Sequence, residues 1–210
     1  MELKLSGRYT AVLSSSTGRV KQRAYADNII TDAGLNWYLT NAGQLTGNYS
    51  VMRYIGVGTG TATPQGSDTA LQTQVVRQSW QSAVSSGYSA VITNPAAPYI
   101  EFGTVFDSAT ANADLTEVGT FYMPSGDLMW SRALFTDGEG YPVVINKRAG
   151  DILTVKYRLT MQRASETPFS AMITDSRSNT YAVTGILTNE SLAGLLQSDR
   201  WSGNFCRSYM

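Results

Sequence analysis

Three acidic residues, Glu101, Glu117 and Asp127, lie in or beside apolar stretches and are the residues of this chain best suited to catalysis. Two carboxyl groups facing one sugar across a few ångströms hydrolyse a glycosidic bond, one as acid and the other as base or nucleophile. The competing role for each is solvation or pairing with an arginine, and the sequence favours that role for all three. Asp107, Asn112 and Asp114 offer the oxygen ligands that calcium takes, but their spacing matches no EF-hand, so an ordinary loop is expected there. Histidine is absent and there is one cysteine, Cys206. That removes the commonest general base, every Ser-His-Asp or Cys-His arrangement, and the clusters that zinc needs. No catalytic residue, metal or cofactor is expected.

The glycine run Gly56-Val57-Gly58-Thr59-Gly60 is the other feature that could hold a ligand. A dinucleotide fingerprint reads GxGxxG after a strand and opens into a helix, so that phosphate meets backbone N–H groups. Here the third glycine comes one residue early, and Thr61 to Thr69, with Pro64 and Gly66, starts no helix. The run is expected to be structural.

The elements that position these residues are strands. Asp151 to Arg163 alternates without a break: Leu153, Val155, Tyr157, Leu159 and Met161 on one side, Ile152, Thr154, Lys156, Arg158 and Thr160 on the other. This is a long strand with one buried and one wet face. Lys4 to Leu13 and Arg19 to Ala26 read as a hairpin about Ser14-Ser15-Ser16-Thr17-Gly18. Thr31 or Asp32 caps a short helix carrying Leu35, Tyr38 and Leu39 at helical spacing and ending near Gly43. Met52 to Val57, Val75 to Val84, Tyr88 to Thr93, Ile100 to Phe106, Leu115 to Met123, Leu128 to Phe135 and Val143 to Asn146 follow as shorter strands. Turn residues separate them, and Gly138 to Pro142 reads as a hairpin tip. The pattern predicts an all-β antiparallel β-sandwich, jelly-roll-like, with one short N-terminal helix.

Composition changes at Ala164-Ser165-Glu166-Thr167-Pro168, which divides the chain into a core domain, 1–163, and a C-terminal appendage, 164–210. The appendage reads as a hairpin, Phe169 to Thr174 and Thr180 to Leu187, then a short helix from Thr188. Its apolar residues Phe169, Leu192, Leu195, Leu196, Trp201 and Phe205 exceed what so short a segment buries by itself. They are the expected interface, together with the N-terminal hairpin.

Charged residues are 15% of the chain and the net charge is zero, which argues against capture of a nucleic acid. No run reaches membrane-spanning length, and MELKLSGRY lacks the apolar core of a signal peptide, so neither membrane insertion nor secretion by that route is expected. The basic residues are 12 Arg against 4 Lys, and there are 12 Tyr; both biases suit contact surfaces.

Four ordered segments resemble a group of tailed-bacteriophage virion proteins. They are GRYTAVLSSSTGRVKQRAYADNIITDAGL, YIGVGTGTATPQGSDTALQTQVVR, LTEVGTFYMPSGDLMWSRALF and GYPVVINKRAGDILTVKYRLTM, spanning roughly residues 7 to 163. The resemblance implies a non-enzymatic β-sandwich module, made in the host cytoplasm and built into the virion. It would sit in the tail or at a tail tip or fibre and act through contacts with copies of itself and other virion proteins in assembly or host attachment, where a host surface receptor is a further partner. It carries no functional residue over, because the similar segments look like determinants of the fold. Two other roles stay open: a capsid decoration or head-fibre protein, and a carbohydrate-binding receptor domain.

Overall fold

A computed structural model gives the fold and describes residues 3–41, 53–81, 84, 99–126, 128–163, 169–174 and 180–185. Strands β1 (Leu3–Ser15) and β2 (Val20–Asp27) form the expected N-terminal hairpin. Gly18 closes its turn at φ +84°, a conformation that an L side chain resists, with its N–H on Ser15 O at 2.9 Å. After β3 (Ile29–Ile30) comes helix α1 (Asp32–Asn41). Thr31 caps it, its Oγ1 accepting the Gly34 N–H at 3.0 Å. The helix meets the sheet at Gly34, where a Cβ would come 2.7 Å from Trp130 O, while Leu35 is exposed. The glycine allows the close approach. Tyr38, Leu39 and Gly43 lie outside the described side chains.

The remaining sandwich strands are β4 (Tyr54–Gly58), β5 (Gln74–Ser79), β6 (Tyr99–Phe106), β7 (Asp114–Leu115), β8 (Glu117–Phe121), β9 (Met129–Leu134), β10 (Ile145–Asn146) and β11 (Asp151–Arg163). They make a four-stranded sheet ordered β2-β1-β11-β6, a five-stranded sheet ordered β3-β9-β8-β4-β5, and a small β10-β7 pair. Every strand pairing is antiparallel. The expected strand Leu115 to Met123 divides at Thr116: β7 pairs with β10, and β8 enters the five-stranded sheet. At Gly138 to Pro142 the predicted tip forms, with Thr136 and Pro142 bridged and the Asp137 carboxylate accepting the Glu139 and Tyr141 N–H groups. Tyr88 to Thr93 lies outside the described residues.

One apolar core joins the two sheets. On β11, Leu153, Val155, Tyr157 and Leu159 are buried and the residues between them are not, as alternation requires. They pack with Tyr9 and Leu13 of β1 and Phe102 and Phe106 of β6, facing Ile55, Val57, Val118 and Trp130 of the other sheet. Burying each such side chain stabilises the fold by roughly 1.5–3 kcal/mol. The core also contains a polar tie: Tyr9 Oη lies 2.6 Å from Ser131 Oγ, which lies 2.7 Å from Thr120 Oγ1. The result is an all-β sandwich.

Beyond Arg163, β12 (Phe169–Thr174) and β13 (Thr180–Gly185) pair with each other as the predicted hairpin. The segment from Thr188 onward lies outside the described residues.

Candidate functional site

The best-defined polar centre lies where the glycine run meets Glu117. Two glycines of the run, Gly56 and Gly58, belong to β4 itself, and Gly60 starts the loop that returns to β5. β8 runs beside β4, with Gly58 opposite Glu117. A Cβ on Gly58 would sit 2.6 Å from Glu117 Oε1, and one on Gly60 would overlap the same oxygen. The glycines therefore make room for a carboxylate.

That carboxylate is fully enclosed and fully used. Glu117 Oε1 accepts the Gly60 N–H at 3.0 Å and the Thr73 N–H at 2.8 Å; Oε2 accepts the Gln72 N–H at 3.1 Å. Arg132, from β9, donates Nε to Oε2 at 3.0 Å, and its Nη2 lies 2.9 Å from the same oxygen as an ion pair. The same guanidinium donates Nη2 to Ala62 O at 3.0 Å and pairs through Nη1 with Asp68 Oδ2 at 2.7 Å. Burial pushes the Asp68 carboxyl up; the Gln65 N–H and the Arg132 guanidinium outweigh it and hold its pKa below the ordinary value. Backbone N–H groups around an anion are what a phosphate-binding loop offers. Here the protein supplies its own anion, and the loop from 59 to 73 is wrapped on it.

Glu101 and Glu117 take the role the sequence favours, pairing with cations, and do not face one another. Glu101 is on β6, in the other sheet, beside Arg158 and Lys156 of β11, with contacts of 2.8 and 3.2 Å. Burial raises its pKa, but those two cations lower it further, to below the ordinary value. Arg158 also stacks on Tyr99, 4.0 Å from the ring centre. Asp127 lies outside the described residues.

Asp107, Asn112 and Asp114 do not surround a common point either. Asp114 pairs with Arg148, and the Asp107 carboxylate accepts the Ala109 and Thr110 N–H groups. Two other oxygens here meet an ammonium: Lys147 Nζ donates to the Asp107 backbone O at 2.7 Å and to Asn112 Oδ1 at 2.9 Å. Lys147 has no exposed surface. Desolvation lowers its pKa, opposed by the Asp151 and Asp107 charges. Among the described residues no cluster of three or more Cys, Asp or Glu is placed to hold a metal. Sequence reading missed Lys147, which sits in Asn146-Lys147-Arg148 and looks like a solvated charge.

Of the expected interface, Phe169 opens β12 opposite Gly185, and Leu192, Leu195, Leu196, Trp201 and Phe205 lie outside the described residues. The sandwich itself presents Met123 and Tyr141, 48% and 65% exposed, at the tips of two hairpins. No helix among the described residues is long and apolar enough to cross a membrane. Comparison with protein families, curated proteins and solved structures found no match.

Proposed function

We propose that this chain is a non-enzymatic structural component of a tailed-phage virion. In this reading it sits in the tail or tail tip and works through oligomeric protein–protein contacts in assembly or host attachment. The observation that carries the reading is the fate of Glu117. One of the three candidate acids is spent, with Arg132 and Asp68, on fixing a loop to a β-sandwich. A rigid scaffold with shaped loops suits recognition by contact. Exposed Met123 and Tyr141 at hairpin tips are the kind of side chain that a neighbouring protein covers. The ordered resemblance over roughly residues 7 to 163 supplies the virion context.

Gold-tagged antibody against this chain, applied to purified virions and viewed by electron microscopy, tests the reading. Gold at the tail or its tip is expected. Gold over the head would make the chain a decoration protein, and well-preserved particles carrying no gold would overturn the tail assignment.

A further inference from the structure

The four-stranded sheet turns one face to the core, and charge is unevenly placed on the other. Register brings four cationic residues to that outer face: Arg8 on β1, Arg23 on β2, and Lys156 and Arg158 on β11. Two carboxylates accompany them, Asp27 on β2 and Glu101 on β6. The chain as a whole carries no net charge. Among its described side chains this face therefore holds a cationic surplus.

At its centre two like charges sit side by side. Arg8 and Arg158 are direct partners in the β1–β11 register, an arrangement that costs stability. Both side chains are accessible, at 54% and 48% exposed. Their guanidiniums lean apart. Arg8 reaches toward β2, 5.2 Å from the Tyr25 ring centre and 3.7 Å from Asp27. Arg158 reaches toward β6, 4.0 Å from the Tyr99 ring centre and 2.8 Å from Glu101. The strand order β2-β1-β11-β6 makes these opposite directions. The middle of the face is thus flanked by two guanidiniums, with Lys156 two residues along the strand from Arg158.

We propose that this face docks an extended, acidic segment of a partner protein. A carboxylate set between Arg8 and Arg158 relieves the repulsion that the free sheet carries, and guanidinium forks suit carboxylates. An extended chain presents alternate side chains on one side about 6.8 Å apart, the repeat that also separates Lys156 from Arg158 on β11. Two features favour a polypeptide over other polyanions. The guanidiniums of Arg8 and Arg158 occupy ring faces of Tyr25 and Tyr99 on which a base or a sugar would stack. Asp27 and Glu101 repel an unbroken row of phosphates, whereas a peptide sets neutral residues against them. This inference rests on the contact role proposed above and deepens it, naming one contact surface and the chemistry of its partner.

Fluorescence anisotropy of a labelled peptide that alternates glutamate and serine, titrated with the full-length chain, tests it. Wild type should bind at low ionic strength and lose affinity as salt is raised. The double variant Arg8→Gln, Arg158→Gln should bind at least about tenfold more weakly. Arg148→Gln removes an exposed cation outside this face and should bind as wild type does. A thermal melt checks that the double variant stays folded. Arg8→Gln alone relieves a like-charge pair, so it carries the test should the double variant unfold. No binding by wild type, undiminished binding by the folded variants, or an equal loss in Arg148→Gln would overturn the proposal. Tighter binding of oligo-dT or polygalacturonate than of the peptide would overturn it too. Its fate is separable from the virion reading: salt-sensitive binding by a chain absent from virions supports this inference alone. A chain found in virions whose double variant binds as tightly as wild type refutes it alone.

Discussion

The Arg132 guanidinium lies 2.9 Å from the Glu117 carboxylate, and neither side chain meets water, at 3% and 0% exposed. Removing two charges from water costs several kcal/mol per ion, and their attraction repays it only where the remaining hydrogen-bonding capacity is filled. Here three backbone N–H groups, Ala62 O and Asp68 fill it. The pair ties β8 and β9 to the loop from 59 to 73.

Glu117→Gln should therefore destabilise the chain by about 3–5 kcal/mol, because it leaves a buried guanidinium short of its charge partner. Glu101→Gln removes a carboxylate whose partners Lys156 and Arg158 are 42% and 48% exposed, and should cost less than about 1 kcal/mol. Urea unfolding of both variants checks the contrast; equal costs would contradict the clamp.

Lys147→Met should cost about 1–3 kcal/mol, since Asp107 O and Asn112 Oδ1 lose their ammonium donor. Faster amide exchange of the loop from 107 to 114 should accompany the loss. A variant as stable as wild type would mean that water replaces the ammonium without penalty.

Acid should destabilise the fold. Asp68, Glu101, Asp107 and Asp151 all have folded pKa values below the ordinary range, through the N–H and cation partners given above and, for Asp151, first through Lys21. Depressed folded values mean that the unfolded chain binds more protons at low pH. The stabilisation is present above the unfolded carboxylate value of about 4 and is lost as pH falls through the folded values. Melting temperature should be steady near neutrality and fall progressively below about pH 4. A midpoint that stays level or rises on acidification would contradict these pairings.

At the alkaline end the buried tyrosines decide. Tyr9 and Tyr157 face each other across β1 and β11, ring centres 4.6 Å apart, and both are fully buried. Burial pushes Tyr157 up to about 12 and Tyr9 well above its usual value. A raised folded value makes a contribution that is complete below the unfolded pKa of about 10 and lost as pH rises through the folded value. Spectrophotometric titration should show these two phenols ionising only with unfolding. Reversible ionisation of every tyrosine by pH 10.5, roughly half a unit above the ordinary value, would contradict the buried pair.

How much of this was legible depended on the range of the interaction. Alternation is local, so β11 could be read to its ends, and Gly18 marked its turn. Glu117 could not be placed: β8 is buried at every residue, so alternation says nothing of which side chain faces what. Its partners lie 15 residues away in Arg132 and 44 to 57 residues away in Thr73, Gln72 and Gly60. The usable signals were a lone acid within Glu117-Val118-Gly119-Thr120-Phe121 and a lone arginine within β9, each expensive to bury without the other. Helix Asp32–Asn41 was legible from its cap and spacing, but its close approach to the sheet at Gly34, against Trp130, was not, because that contact is 96 residues away.

The central claim is that the chain is a part of a particle. Quantitative mass spectrometry of density-gradient-purified virions tests it most directly. The account predicts that this chain bands with intact particles at a fixed ratio to the tail proteins across the gradient. A chain confined to the soluble fraction, or present at a ratio that drifts from one fraction to the next, would contradict it.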